Sequence, residues 1–202
     1  MGQPGLAPAI TIEPATPAQL TELVSIHRSA LPETLNSRLG PQHLTYLYTR
    51  MLAHPKSLVA VASLDGKVSG VVCATLDLSE LSHWLIAELT LNTWIGYALR
   101  ILAHPSLWIL SLESLGSSQV LHLDGESLPA CLTVLAVSPH ARRRGLGQAL
   151  VQAVDDFVRK AGLSGYWLET DASNQGAQTF YSSQGFQLVA RRGSALRLLH
   201  RL

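Results

Sequence analysis

The sequence predicts an α/β fold, in which short strands alternate with amphipathic helices around one core. Two patterns support this prediction: β-branched runs bounded by turn residues, and apolar residues that recur at helical spacing. The chain has 202 residues, of which 47% are hydrophobic and 14% are charged. This length suits a single domain, and this composition suits a compact chain with a sizeable core.

The first part of the chain predicts a strand, two helices and a β-hairpin. A capping box at Thr16–Gln19, with Pro17 at the first helical position, begins the first helix, and Pro32 ends it. The Asp65-Gly66 pair supplies the positive φ that a tight hairpin requires. In order, we predict a strand at 9–13, a helix up to 31, a helix at 41–53, and strands at 57–63 and 68–74.

The second part predicts an insertion followed by four more strands and two helices. The insertion, residues 78–120, has apolar residues at mixed helical spacing, with a break between helices at His104-Pro105. Gly162 and Gly185 occupy the glycine position that commonly ends a helix. After the insertion we predict a central strand at 128–137, a helix at 145–161, a strand at 166–170, a helix at 174–184, and a hairpin of strands 186–190 and 195–199.

Composition and charge exclude several classes of function. The chain has 15 Lys and Arg residues against 14 Asp and Glu residues, so its net charge of +1 creates no global field that favours nucleic acid or anionic lipid. The most apolar region, 84–115, is interrupted by polar residues and predicts no membrane span. Two cysteines and the lack of a secretory signal pattern favour a reducing cytoplasm.

A basic, glycine-containing turn between a strand and a helix is the most informative stretch of the sequence. It follows Val137 and contains three arginines, Arg142–Arg144, before Gly145 and Gly147. Free N–H groups and the positive dipole end at a helix start attract anions, and residues without a Cβ let a phosphate approach the backbone. The turn therefore predicts a diphosphate site in which main-chain amides make most of the contacts.

Two other phosphate motifs fit this stretch poorly. A Rossmann fingerprint places its glycines close to the end of the strand, whereas here seven residues separate Val137 from Gly145. A P-loop requires Lys directly after its second glycine, and neither Gly145 nor Gly147 is followed by Lys. A solvated helix start with ordinary turn glycines is the remaining alternative, and a second motif argues against it.

The second motif lies near the end of the chain. It consists of Asn174, Ala177, Phe180-Tyr181 and Gly185-Phe186. The two segments together closely resemble the GNAT superfamily of N-acetyltransferases. In that family, an Arg/Gln-x-x-Gly-x-Gly/Ala turn precedes an Asn-x-x-Ala-x-x-Phe-Tyr-x-x-x-Gly-Phe segment. The resemblance extends over about 132–190, and the order of the earlier elements is compatible with it.

The resemblance implies a GNAT-like fold, with a mixed, mostly antiparallel central sheet flanked by helices and a helical insertion before the central strand. It implies acetyl-CoA as cosubstrate, with the diphosphate on the basic turn and the pantetheine arm between two strands that diverge. Tyr181 would protonate the leaving thiolate or only pack, and Asn174 would bind the pantetheine or only cap its helix. The implied cofactor residues are Leu135, Ala136, Val137, Arg142, Arg143, Arg144, Gly145, Leu146, Gly147, Gln148, Asn174 and Tyr181.

No general base follows from the sequence. Relatives that acetylate protein N-termini often have Glu early in the central strand, and the corresponding position here holds Pro129. A water relay and an amine that arrives already neutral remain alternatives. Cys131 fits a buried strand residue better than an acyl-carrying nucleophile, and the eight histidines show no metal-ligand spacing, so we predict no metal. Titratable residues near the central strand are His122, Asp124, Glu126, Glu169 and Asp171.

The predicted function is transfer of an acetyl group from acetyl-CoA to a primary amine by direct attack, within one acetyltransferase domain of residues 1–202. The acceptor is expected to be a small molecule or a peptide. The insertion, with Trp84, Trp94, Tyr97 and Trp108, would shape the acceptor site, form a homodimer face, or only pack on the rest of the protein. The alternative function is a non-catalytic sensor that binds acyl-CoA.

Overall fold

A computed structural model describes residues 9–87, 120–123 and 125–202 of the chain. Its strands are β1 (Ile10–Pro14), β2 (Ser57–Leu64), β3 (Lys67–Thr75), β4 (Leu121–Leu123), β5 (Glu126–Leu128), β6 (Cys131–Val137), β7 (Gly165–Asp171), β8 (Gln187–Arg192) and β9 (Ala195–Arg201). Its helices are α1 (Leu20–Ala30), α2 (Leu35–Arg38), α3 (Pro41–Ala53), α4 (Leu78–Ala87), α5 (Leu146–Lys160) and α6 (Gln175–Ser183).

Seven of the described strands form one mixed sheet, in the order β1-β2-β3-β6-β7-β9-β8. Every neighbouring pair is antiparallel except β6 and β7, which are parallel. The parallel pair has a single register match, Cys131 with Trp167, in this part of the sheet. The two central strands therefore diverge beyond Cys131, as the resemblance predicts.

Helices cover both faces of the sheet because its strands alternate apolar side chains between two cores. Val72 and Ala74 of β3 face one core with the buried side of α5, whereas Val71 and Cys73 face the other core with α1 and α3. This two-residue period is the signature of a strand that is buried on both faces. The predicted architecture, a mostly antiparallel sheet flanked by helices, is confirmed.

Several predicted boundaries agree with the structure and one helix was missed. The predicted capping box is present, with the Thr16 N–H donating to Gln19 Oε1 at 2.9 Å. Helix α3 has the predicted bounds. The short helix α2 was not predicted, because four residues give too little periodicity. Its N-cap residue Thr34 is a local signal for a helix start, since the Thr34 side chain accepts a hydrogen bond from the Ser37 N–H.

The predicted central strand at 128–137 is too long at its start. The strand begins at Cys131, whereas Leu128 pairs with Leu121 in the separate β4–β5 hairpin. Pro129 has no N–H to donate to a ladder, so it separates the two strands. Its carbonyl instead accepts the Leu78 N–H at 3.0 Å and thereby contacts the start of α4.

The predicted insertion begins with helix α4, which docks on α3. The Arg50 guanidinium lies 4.4 Å from the centroid of the Trp84 ring and donates to the Trp84 carbonyl at 2.9 Å. Tyr46 Oη donates to the Leu85 carbonyl at 2.7 Å. Side chains of α3 thus bond to carbonyls in the last described turn of α4. The predicted break at His104-Pro105 and the aromatic residues Trp94, Tyr97 and Trp108 lie outside the described residues.

A buried histidine joins α1 to α3. His27 is 1% exposed, and its Nδ1 atom lies 2.9 Å from Tyr48 Oη. Burial, together with the nearby His43, lowers the pKa of His27 to about 4. The folded protein therefore holds His27 neutral in a pH range where the unfolded chain would protonate it.

This burial predicts a loss of stability in mild acid. The contribution of neutral His27 to the unfolding free energy is complete above its unfolded pKa of about 6.5. It falls as the pH approaches its folded pKa of about 4. Between pH 7 and pH 5 the wild type should lose about 2 kcal/mol of unfolding free energy through this group. In His27→Gln, urea denaturation should show a loss of unfolding free energy between pH 7 and pH 5 that is smaller than that of the wild type by about this amount. An identical pH dependence in both proteins would contradict the assignment.

Candidate functional site

A cleft of about 740 Å³ opens beside the diverging end of β6. Its walls are the last residues of β6, the turn and first residues of α5, one face of α6 along its whole length, and the end of α1. The lining residues are Ala30, Leu31, Leu135, Val137, Ala141, Arg142, Arg143, Gly145, Leu146, Gly147, Gln148, Asn174, Gly176, Ala177, Phe180, Tyr181 and Gln184.

The turn that enters α5 has an unusual backbone. After a short 3-10 turn at Pro139–Ala141, Arg142 is extended, Arg143 has φ 59° and Gly145 has φ 87°. Left-handed residues of this kind turn successive main-chain N–H groups toward a common side and so form concave sites for anions. A glycine at position 145 adopts this conformation without the steric cost that a Cβ would add.

The N-terminus of α5 presents main-chain amides that the helix itself does not use. Gly145 is the N-cap residue and, as a glycine, has no side chain that could cap the helix. The Ala149 N–H closes the first turn by donating to the Gly145 carbonyl at 3.0 Å. The amides of Leu146, Gly147 and Gln148 precede that bond and have no carbonyl one turn earlier. With the positive end of the helix dipole, they form a site suited to a phosphate group.

Gly147 is needed for the packing of α6 against α5. A Cβ built on Gly147 would lie 3.1 Å from Cζ of Phe180, whose ring lines the cleft. The glycine therefore admits the aromatic ring. Phe180 is only partly buried and forms part of the cleft wall, whereas Phe186 is buried in the core.

Gly147→Ala is expected to displace the Phe180 ring and to be about 1 kcal/mol less stable than Gly176→Ala, because both variants gain the helix propensity of alanine but only Gly147→Ala adds a methyl group against a close neighbour. Gly176→Ala is a matched control, since its Cβ would have no neighbour closer than Asn174 Oδ1 at 3.8 Å. Thermal unfolding should separate the two variants. Equal melting temperatures would contradict the tight contact.

Tyr181 lines the cleft from α6. It is 8% exposed, and its ring contacts Phe180 and Phe186 at centroid distances of 5.2 and 5.3 Å. Burial raises the pKa of its hydroxyl well above the usual value for tyrosine, and Cys131 adds to this shift. The hydroxyl therefore stays protonated at ordinary pH and is available as a donor.

Asn174 occupies the N-cap of α6. Its Oδ1 atom accepts the Ala177 N–H at 3.0 Å, so the capping role considered in the sequence is present. Asn174 also lines the cleft. The two roles are compatible, because an amide side chain has separate donor and acceptor atoms.

The structure brings most of the predicted site residues to one cleft. The exceptions are Ala136, which is buried in the core shared with α1 and α3, and Arg144, which is exposed outside the lining. The alternating pattern of β6 explains Ala136, whose side chain points away from Leu135 and Val137. Ala30 and Leu31 were missed, because they belong to α1 and no local signal links that helix to the turn.

Most of the titratable residues considered as a general base form hydrogen bonds or ion pairs with other side chains. Glu169 accepts from Arg197 Nε at 2.7 Å. Hydrogen bonds from Ser164 and Arg201 lower the pKa of Glu126, and hydrogen bonds from Ser173 lower the pKa of Asp171. His122 is exposed on β4, and Asp124 lies outside the described residues. Pro129, the position counted for a family base, precedes β6.

Cys131 is a buried strand residue, as the sequence suggests. It is 5% exposed, and burial raises the pKa of its thiol far above the usual range, so the thiolate needed for nucleophilic attack is disfavoured. Among the described residues, no group of three or more His, Cys, Asp or Glu side chains is arranged to hold a metal ion. No helix in the described ranges has the length and apolar character needed to cross a membrane.

The fold and the cleft define a class: an α/β protein with an open helix N-terminus next to two central strands that diverge. The sequence model of the "Acetyltransferase (GNAT) family" matches residues 20–186. The chain belongs to this family. The resemblance stated from the two motifs is thereby confirmed.

Individual relatives are similar over shorter stretches. The [ribosomal protein bS18]-alanine N-acetyltransferase of Escherichia coli K12 is 44% identical over 57 residues, which are 28% of this chain and 38% of the relative. The chain thus matches less than half the length of this curated relative.

Solved structures agree with the fold over nearly the whole chain. The PaiA N-acetyltransferase of Thermoplasma acidophilum, in complex with coenzyme A, has a TM-score of 0.62 at 14% identity and covers 96% of this chain and 99% of its own. NAA60 of Arabidopsis thaliana, in complex with acetyl-CoA, has a TM-score of 0.60 at 15% identity, with coverages of 96% and 99%. At these identities, the similarity establishes the fold.

Proposed function

We propose that this protein is an acetyl-CoA-dependent N-acetyltransferase that acts on a primary amine of a small molecule or a peptide. The observation that carries the proposal is the uncapped N-terminus of α5, which opens at the end of a strand that has parted from its neighbour. One CoA molecule has both groups that this arrangement accommodates: a diphosphate for the helix amides and an amide-bearing arm for the free strand edge.

The diphosphate would be held by the main-chain amides of residues 143–148. Because β6 and β7 diverge beyond Cys131, the free edge of β6 at Leu135–Val137 offers backbone groups to the pantetheine arm, which takes the place of a strand. The thioester then lies deeper in the cleft, toward Tyr181. Asn174 lines the same path and contacts the arm with the side-chain donor that its capping bond leaves over.

The reaction is a direct attack of the neutral amine on the acetyl carbonyl. A C–N bond forms, the C–S bond breaks, the amine loses a proton, and the CoA thiolate receives one. Tyr181 is the proton donor to the thiolate, since its hydroxyl is kept protonated by burial and it lines the cleft. The proton of the amine leaves through water, or the amine binds already neutral, because the nearby carboxylates of Glu169, Glu126 and Asp171 are engaged.

Names of relatives support amine acetylation. The E. coli relative is named for the alanine of a ribosomal protein, and both structural neighbours with bound cofactor are acetyltransferases or acetyl-CoA complexes. The segment shared with the E. coli relative covers only 28% of this chain, so it does not identify the acceptor.

Two measurements test the proposal. Titration calorimetry on the folded protein should show binding of CoA and of acetyl-CoA, and thiol release from acetyl-CoA should accelerate with at least one member of a panel of amino sugars, amino acids, polyamines and peptide N-termini. No binding of either cofactor would contradict the proposal. Binding without turnover on any amine would instead favour the non-catalytic acyl-CoA sensor.

A further inference from the structure

Arg142 makes two hydrogen bonds that the sequence motif does not predict. Its Nη2 atom donates to the main-chain carbonyl of Ala30 at 3.2 Å, and its Nε atom donates to the carbonyl of Val137 at 3.3 Å. Ala30 is the last residue of α1, 112 positions away in the sequence, and it lines the same cleft as Arg142. The guanidinium therefore bridges two walls of the cleft.

The carbonyls at the end of α1 explain why a cation is useful there. The last carbonyls of a helix have no partner in the next turn and form the negative end of the helix dipole. In α1, the His27 carbonyl accepts the Leu31 N–H at 2.8 Å, and the Leu31 carbonyl accepts Thr34 Oγ1 at 3.0 Å. The Ala30 carbonyl is capped by Arg142. Without the Arg142 guanidinium, the negative end of α1 would face the cleft in which the anion binds.

We infer that the Arg142 side chain is a positioning group and not a phosphate ligand: it fixes the diphosphate turn against the end of α1 and offsets the charge of that helix end. The inference rests on the proposed function. Both of its bonded donor atoms are directed at carbonyls, while the main-chain amides at the start of α5 stay open for the anion. The hydrogen bond from Arg142 to the Val137 carbonyl also fixes the turn to the end of β6.

Three variants separate the two roles. Arg142→Met removes the donors and the charge, and Arg142→Lys keeps one donor group and the charge. Arg191→Met is the control: it removes the same charge, and an Nε bond to the Gly193 carbonyl at 3.3 Å, from an exposed residue of β8 outside the cleft lining. By calorimetry with CoA, we expect affinity to fall about tenfold in Arg142→Met, because the turn loses its bonds to the Ala30 and Val137 carbonyls and must be ordered when the cofactor binds. Arg142→Lys should recover part of this loss, and Arg191→Met should stay within about threefold of the wild type.

Hydrogen exchange on the protein without cofactor is the decisive readout. If Arg142 only bound phosphate, its substitution would not change amide exchange in the absence of the cofactor. We expect amides of residues 29–34 to exchange faster in Arg142→Met than in the wild type or Arg191→Met, and Arg142→Lys to be intermediate. Wild-type exchange in Arg142→Met would overturn the inference, as would faster exchange with unchanged CoA affinity. If the wild type binds no CoA, the proposed function fails, whereas the exchange rates still test the link to α1.

Discussion

Tyr181→Phe is expected to lower kcat by about 10²- to 10⁴-fold, the usual contribution of a positioned acid. The substitution removes only the hydroxyl, and the ring contacts with Phe180 and Phe186 remain. Because the thiolate then leaves without a donor, the barrier to C–S cleavage rises, while the ground-state contacts of the cofactor are kept. Steady-state kinetics with an active amine, combined with calorimetry, would separate the two effects.

Affinity for CoA should therefore change by less than about threefold in this variant. Tyr46→Phe is a matched control, since its hydroxyl donates to the Leu85 carbonyl and it does not line the cleft. Its turnover should remain close to that of the wild type. A Tyr181→Phe enzyme with wild-type kcat would show that Tyr181 only packs, and another donor would then have to protonate the thiolate.

Arg197→Met is expected to lower the unfolding free energy by about 2–3 kcal/mol. The Arg197 side chain is 11% exposed, donates to Glu169 at 2.7 Å, and lies 4.8 Å from the centroid of the Trp167 ring. Removing the cation leaves a carboxylate that is only 20% exposed without this partner, and a partly desolvated unpaired charge is costly. Urea denaturation at neutral pH measures the loss.

The ion pair between Arg201 and Glu126 provides a surface control. Its atoms are 3.0 Å apart, but the side chains are 51% and 40% exposed, so Arg201→Met should cost at most about 1 kcal/mol. The double variant Arg197→Met with Glu169→Met should be more stable than Arg197→Met alone, because it no longer contains the unpaired carboxylate. Equal costs for Arg197→Met and Arg201→Met would contradict the importance of burial.

Much of the fold follows from local patterns. The capping box, the Pro at the start of α3, and the Asp65-Gly66 turn identify elements within a residue or two of their observed ends. The central strand was placed too early, because a run of apolar residues continues through Pro129 and periodicity alone cannot tell one strand from two. The β4–β5 hairpin was missed for a related reason: its strands have three residues each.

The sequence by itself determined which residues carry the cofactor motif and which local structures they form. Turn chemistry depends on neighbours within a few residues and singles out Gly145 directly, whereas the roles of Asn174 and Tyr181 are implied by the resemblance to the acetyltransferase family. Only the tertiary structure decided that Ala30 joins the cleft, that Arg142 caps α1, and that Phe180 needs a glycine opposite it. These contacts depend on the order of strands in the sheet, which local patterns do not encode.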